Sequence, residues 1–218
     1  MKNKIREISE TLVKSNIFPM KMVTSTTAGG ITFESTTKDS MGTTIQEWFG
    51  HWLTKNGFSW HTPKNTQAFP DFTLDNNNEQ LEVKSYDSIR KPGFDIAKFP
   101  ALIDELVDDS EILEADYIIF KYSLYDNGFF IEDFRIKKIW EMSYITRQGL
   151  IGSQQKQGTI IAIRPYHKLF DGVSPIRSKK EFIEILAKTL DFYGTQIIKE
   201  DSKFVNGNDW IEKVESNY

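Results

Sequence analysis

Three side chains in the first half of the chain have the types that phosphodiester hydrolysis uses. Asp71 follows a proline, and Glu82 and Lys84 lie further along, two positions apart. Carboxylate oxygens are ligands that Mg²⁺ accepts, and a neighbouring lysine can orient or activate an attacking water. So short a pattern also arises by chance, so its meaning depends on whether the fold brings the three groups together.

A β-hairpin is predicted around these residues. Residues 69–75 and 80–86 are predicted strands, separated by an asparagine-rich turn. Residues 76–77 suit a two-residue type I′ loop, because asparagine tolerates the positive φ that this turn requires. Asp75 would then pair with Asn78, and this pairing fixes the register of the whole hairpin.

The register places the candidate groups on one face. Asp71 would lie directly opposite Glu82, and Lys84 shares their face because strand side chains alternate. Phe72 and Leu81 would pair on the other face, toward a core. Opposed carboxylates destabilise a hairpin unless something compensates their charge, and a bound divalent cation does so. Asp71 and Glu82 are therefore predicted metal ligands.

Other interpretations of these residues stay open. Glu82 and Lys84 also fit the exposed face of an amphipathic strand, with Lys84 in a salt bridge that contributes little. Glu47 lies off the apolar stripe of a predicted helix over residues 42–55, where it could reach the metal directly or through water. The alternative is a solvated helix glutamate.

The positioning elements follow from hydrophobic periodicity. In the clearest helix, over residues 42–55, apolar side chains recur at helical spacing until Asn56-Gly57 ends it. We interpret the chain as one domain, 1–218, of the α/β (α+β) class, with a central mixed, mostly antiparallel sheet flanked by helices. Further helices are predicted over 2–15, 95–109, 137–144 and 178–193, strands over 58–61, 117–125, 129–134 and 159–164, a hairpin over 20–35, and a polar loop over 152–158.

Composition narrows the chemistry. The chain has no cysteine and three histidines, which excludes thiolate metal sites and disulfides and leaves oxygen ligands for a metal. The net charge of -4 argues against a protein that coats nucleic acid, although local clusters of basic residues such as 135–138 and 177–180 could still line a DNA cleft or form solvated faces.

The sequence shows no apolar run typical of a signal peptide or long enough to span a membrane, so a soluble cytoplasmic protein is expected.

Taken in order, several segments resemble PD-(D/E)xK restriction endonucleases, most closely those of the EcoRV type. Residues 44–49 look like that family's helix with an acidic residue, and residues 69–74 and 81–84 look like its two catalytic strands. Residues 152–158, followed by a strand and the helix over 178–193, resemble the segment that holds its major-groove recognition loop.

The resemblance implies a role for each candidate residue. Asp71 and Glu82 would bind Mg²⁺, Lys84 would be the catalytic lysine and Glu47 the auxiliary acid. The second acid is Glu rather than Asp, which the family permits. The implied DNA contacts are Asn65, Thr66 and Gln67 in the minor groove and Ser153, Gln154, Gln155, Lys156 and Gln157 in the major groove.

These side chains suit base recognition, because Gln can bond adenine through two atoms and Lys can donate to guanine. The sequence of the 152–158 loop differs from the family's, which leaves the recognition sequence open, and a mobile polar connection remains the alternative for it.

The predicted activity is that of a type II restriction endonuclease that cuts double-stranded DNA at a short palindrome and leaves blunt ends. A two-fold site suits a homodimer, for which residues 1–40 are the candidate contact region, while residues 145–218 are the candidate recognition region. A DNA methyltransferase would be a functional partner. Rival hypotheses are a resolvase or repair nuclease of the same fold, a non-catalytic DNA-binding protein and an unrelated soluble α/β protein.

Overall fold

The computed structural model describes residues 4–35, 40–64, 69–75, 78–125, 128–197, 204 and 206–216. The chain divides into two compact units. Residues 1–91 and 115–137 form the first, and residues 92–114 and 138–218 form the second. That residues 1–218 act as a single nuclease domain stays a prediction.

A six-stranded sheet forms the centre of the first unit. Its strand order is β1-β8-β7-β6-β5-β4, with β6 and β7 parallel and the pairs β1–β8, β4–β5 and β5–β6 antiparallel. The predicted mixed, mostly antiparallel fold is therefore confirmed. The strands of this unit are β1 (Met20–Met22), β2 (Thr24–Ala28), β3 (Ile31–Ser35), β4 (Trp60–His61), β5 (Phe72–Leu74), β6 (Glu79–Asp87), β7 (Asp116–Tyr125) and β8 (Gly128–Lys138).

Two helices, α1 (Lys4–Ser15) and α2 (Met41–Lys55), cover the strands that carry the candidate site. Each helix buries an apolar stripe, and both stripes join one core with the inward side chains of β5 and β6. The first turn of α1 is also anchored by charge. Glu79, at the start of β6, accepts hydrogen bonds from the backbone N–H groups of Lys4 (3.2 Å) and Ile5 (3.0 Å). A carboxylate there satisfies otherwise unpaired donors and complements the helix dipole.

The second unit packs helices around a small sheet. Strands β9 (Ser153–Lys156) and β10 (Thr159–Ile163) form an antiparallel pair, and α3 and α5 both contact β10. In α6, the buried Trp210 donates its indole N–H to the carbonyl oxygen of Ile103, 2.8 Å away. An added Cβ at Gly207 would overlap the Ala187 carbonyl oxygen, so glycine permits α6 to approach α5 closely. The helices are α3 (Phe99–Asp108), α4 (Ile139–Met142), α5 (Lys179–Ile197) and α6 (Gly207–Ser216), with a 3-10 helix at Ser110–Glu114.

Three sequence predictions for this unit need correction. The predicted polar loop over 152–158 is mostly strand β9, which lacks apolar alternation because its outer part is exposed on both faces. The helix predicted from residue 95 begins at Phe99, because Ile96 and Ala97 instead exchange backbone hydrogen bonds with Ile163. Helix α6 was not predicted, since its buried stripe contains little beyond Trp210 and Val214.

Within the described segments, no helix combines the length and the apolar character needed to cross a bilayer.

Candidate active site

The hairpin of β5 and β6 has the predicted register. Phe72 lies opposite Leu81, and both side chains are buried, as expected for the core face. The turn residues 76–77 lie outside the described residues, so the type I′ loop stays a prediction. Continuing this register by one pair brings Asp71 to Glu82, and the Asp71 backbone N–H donates to Glu82 Oε2 at 3.0 Å.

Each carboxylate accepts a hydrogen bond from the backbone of the facing segment, and Lys84 pairs with Glu82. Asp71 Oδ2 accepts from the backbone N–H of Val83 at 2.7 Å, so each acid bonds the other's strand. Lys84 Nζ donates to Glu82 Oε1 at 2.8 Å, and these two side chains are only 21% and 12% exposed. The structure therefore brings Asp71, Glu82 and Lys84 together on one face.

Burial and a neighbouring negative charge both disfavour the ionised form of Asp71. Burial, and secondarily the negative charge of Glu82, raise the pKa of Asp71 from 3.8 to about 6, although hydrogen bonds from Val83 and Gln46 and the charge of Lys84 oppose the shift. Above that pH the three side chains carry two negative charges and one positive charge. A divalent cation would reverse this imbalance.

Gln46 is a site residue that the sequence interpretation missed. Its amide Nε2 donates to Asp71 Oδ1 at 2.8 Å, whereas the neighbouring Glu47 is exposed. Gly50 provides a signal for this arrangement, since it lies one helical turn after Gln46 and its missing side chain lets the rings of Trp60 and Phe72 approach α2. The same helix face that meets β5 therefore carries Gln46.

A cavity of about 430 Å³ opens beside Gln46 in the first unit. Glu47, His51 and Trp60 also line it. Glu47 thus shares a cavity with the residue that bonds Asp71, although Glu47 itself makes no hydrogen bond with either described acid, Asp71 or Glu82. Its auxiliary role stays a prediction.

The donor set fits a hard divalent cation. Each carboxylate oxygen of Asp71 and Glu82 accepts one hydrogen bond and retains a further lone pair for a ligand bond. Among the described residues there is no cluster of three or more acidic or histidine side chains. Mg²⁺ tolerates this, because it commonly takes one or two protein carboxylates and completes its shell with water and phosphate oxygens.

The predicted DNA contacts lie in two places. Asn65, Thr66 and Gln67 fall outside the described residues. The other five belong to the second unit, with Ser153, Gln154, Gln155 and Lys156 on β9 and Gln157 in the turn that follows.

Comparison with known proteins identifies the family. A sequence profile of NgoBV restriction endonuclease matches residues 4–218. The chain belongs to the NgoBV restriction endonuclease family. This family membership confirms the resemblance to type II restriction endonucleases.

Two relatives and one solved structure show the same similarity. The type II restriction enzyme NlaIV of Neisseria lactamica is 41% identical over 132 residues, which span 59% of this chain and 54% of that enzyme. The type II restriction enzyme NgoBV of Neisseria gonorrhoeae is 40% identical over 110 residues, 49% of this chain and 62% of that enzyme. These matched segments thus cover little more than half of the relatives' length. The solved structure of NlaIV restriction endonuclease superposes with a TM-score of 0.83 at 30% identity, covering 98% of this chain and 87% of that one.

The raised pKa of Asp71 predicts how pH affects stability. The folded-state pKa of about 6 exceeds the unfolded value near 3.8, so the folded protein binds the extra proton between these values. In a buffer that contains a metal chelator, raising the pH from the lower of these pKa values to the higher should lower the unfolding temperature of the wild type relative to that of Asp71→Asn. The asparagine of the variant cannot ionise. Adding Mg²⁺ at neutral pH should restore the wild type but not the variant.

Thermal unfolding across this pH range, with and without Mg²⁺, measures both effects. Asp171→Asn, at an exposed position of the second unit, is the matched control and should not change the response to Mg²⁺. If the unfolding temperatures of the wild type and of Asp71→Asn change with pH in the same way, both with and without Mg²⁺, this account is contradicted.

Proposed function

We propose that the chain is a Mg²⁺-dependent type II restriction endonuclease that hydrolyses both strands of DNA at a short palindrome. The observation that carries the proposal is the proximity of Asp71, Glu82 and Lys84 at the β5–β6 hairpin, where each acid accepts a backbone hydrogen bond from the facing segment and Lys84 pairs with Glu82. Family membership and the names of the relatives support the same reaction class. Blunt ends and cytoplasmic location belong to the proposal as well.

Asp71 and Glu82 would hold the cation. When bound, Mg²⁺ lowers the pKa of a ligand water and neutralises charge on the phosphate. The oxygen-only donor set favours Mg²⁺ over softer metals.

Lys84 has a distinct task in the reaction. Its ammonium group donates one hydrogen bond to Glu82, which leaves two N–H donors for the attacking water and a non-bridging phosphate oxygen. As the water oxygen bonds to phosphorus, one P–O ester bond breaks and negative charge accumulates on the phosphate oxygens. The Lys84 ammonium group, already held in place by Glu82, would stabilise that charge without a reorganisation cost.

Gln46 would fix the orientation of Asp71. Its amide and the Val83 N–H hold the two Asp71 oxygens from different elements, α2 and β6. Precise placement of a ligand carboxylate is what supporting hydrogen bonds supply in metal sites. Glu47 keeps its proposed auxiliary role through the shared cavity.

Recognition of the DNA sequence would come from the second unit. The β9–β10 hairpin within residues 145–218 carries the polar residues proposed to approach base edges in the major groove. Asn65, Thr66 and Gln67 remain the proposed minor-groove contacts. A DNA methyltransferase that modifies the same sequence would protect the host's own DNA.

The proposal includes a homodimer, whose contact surface would be the β2–β3 hairpin within residues 1–40. Ile31 and Phe33 lie on one face of β3 and are 69% and 51% exposed. An isolated two-stranded hairpin is marginally stable, and adjoining exposed apolar side chains mark contact surfaces. A second copy is the occupant that a two-fold DNA site requires.

Removing the proposed catalytic groups should abolish cutting. Lys84→Ala and Asp71→Ala should each slow cleavage at least about a thousandfold, because they delete a charge-stabilising donor and a metal ligand. The assay is digestion of unmethylated plasmid DNA with Mg²⁺, and Lys55→Ala, an exposed lysine at the end of α2, is the control that should cut normally.

The wild-type digest separates the rival functions. Discrete bands support a sequence-specific endonuclease, whereas a smear would favour a nuclease that reads structure or nothing at all. Metal-independent binding of intact DNA would favour a non-catalytic DNA-binding protein.

Paired substitutions on α2 test which neighbour supports Asp71. We expect Gln46→Ala to lower kcat by roughly ten- to a hundredfold, as loss of a supporting hydrogen bond typically does, and Glu47→Ala to lower it less. Single-turnover cleavage at saturating enzyme measures both. A larger loss in Glu47→Ala would instead make Glu47 the main support of the metal site.

A charge on the exposed hairpin face should disrupt the dimer. Phe33→Glu is expected to give monomers at micromolar concentration, because a desolvated carboxylate opposes burial of that face. Sedimentation velocity checks the mass, with Ile89→Glu as the control at an apolar position that is 80% exposed outside the hairpin. A wild-type monomer, or a dimer that survives Phe33→Glu, would remove this surface from the proposal.

A further inference from the structure

The polar residues of the β9–β10 hairpin differ in what their side chains already bind. Gln155, Lys156 and Gln157 are all exposed, but Gln154 and Gln155 each have a hydrogen-bond partner within the second unit, whereas Lys156 and Gln157 have none among the described residues. This difference bears on which of them can read DNA bases.

Gln154 is bound by Arg164. The Arg164 Nη2 donates to Gln154 Oε1, while Nη1 donates to the carbonyl oxygen of Gly93 and lies 3.1 Å from the Asp95 carboxylate. The guanidinium thus joins the base of the hairpin to the segment that precedes α3. Because a guanidinium is rigid and planar, three partners fix its position and that of the Gln154 amide.

Gln155 is bound by Tyr193. Its Nε2 donates to the Tyr193 hydroxyl, and the tyrosine side chain is 7% exposed within the core-facing part of α5. A buried aromatic ring has little freedom, so the bond holds Gln155 against the helix.

Bidentate reading of adenine uses both the oxygen and the nitrogen of a glutamine amide. The oxygen of Gln154 and one N–H of Gln155 already bond protein partners, so each amide is held in one orientation, and turning it toward a base would break its bond. Breaking such a bond leaves a partner group unsatisfied, which costs affinity.

Lys156 and Gln157 are in the opposite situation. Within the described parts of the chain, neither side chain makes a hydrogen bond or an ion pair, and both are exposed. Gln157 also has a φ of 54°, a left-handed conformation that glycine or asparagine would adopt more easily. A long amide side chain is therefore placed at the turn despite its backbone cost.

We propose that Lys156 and Gln157 determine the base sequence that is cut, and that Gln154 and Gln155 are positioning residues held by Arg164 and Tyr193. This inference rests on the proposed endonuclease function and divides the roles within its recognition hairpin. Lys156 would donate to guanine and Gln157 would bond adenine or another base edge.

Sequencing the ends produced from a pool of random DNA duplexes tests the division. Lys156→Ala and Gln157→Ala should each lose the preference at one position of the half-site, keep it elsewhere, and lower kcat/KM on the wild-type site by roughly ten- to a hundredfold. Lys55→Ala matches the loss of charge away from the hairpin and should leave the sequenced ends unchanged.

Conservative variants test the positioning residues. Gln154→Glu keeps the acceptor for Arg164 but loses the amide donor, so it should retain the wild-type preference, as should Tyr193→Phe with a modestly higher KM. Arg164→Ala should weaken preference at all positions together, and Arg164→Lys, which keeps the charge beside Asp95, should restore part of it.

The outcomes separate the two proposals. If the wild type cuts a defined sequence but Lys156→Ala and Gln157→Ala both keep its preferences, or if Gln154→Glu changes the preferred base at a single position, the inference fails and the endonuclease function stands. If the wild type cuts without any base preference, or does not cut, the proposed function fails and this inference fails with it.

Discussion

The repulsion between Asp71 and Glu82 is the interaction on which the candidate site depends. Hairpin pairing forces the two carboxylates together, and burial with mutual charge raises the pKa of Asp71 to about 6. A pairing that served stability alone would not place two acids against each other, since like charges there cost free energy. A bound divalent cation would make the arrangement favourable, because its charge would offset that of both acids.

The surrounding elements keep the two acids from moving apart. The buried pair of Phe72 and Leu81 fixes the hairpin register from the core side. From α2, Gln46 holds one oxygen of Asp71, and Glu79 ties the start of β6 to the first turn of α1. Relaxation of the site would therefore require breaking contacts in both helices as well as in the sheet.

The amount that could be predicted from sequence follows the strength of the local signals. Strand alternation and the asparagine turn predicted the pairing of Phe72 with Leu81, and with it the shared face of the acids and Lys84. Gln46 was missed because a polar residue at the edge of an apolar stripe has no distinct pattern, and only the approach of α2 to β5 reveals its partner. The strand character of residues 153–156 was missed because exposed strands lack apolar alternation, and their partners Arg164 and Tyr193 are set by tertiary packing.

Locating a bound cation tests the central claim most directly. Mn²⁺ can replace Mg²⁺ at oxygen sites, and its anomalous scattering reveals its position in crystals of the wild-type protein. We predict one strong anomalous peak in contact with carboxylate oxygens of both Asp71 and Glu82, absent from crystals of Glu82→Gln. A peak that contacts neither acid, or the same peak in that variant, would contradict the account.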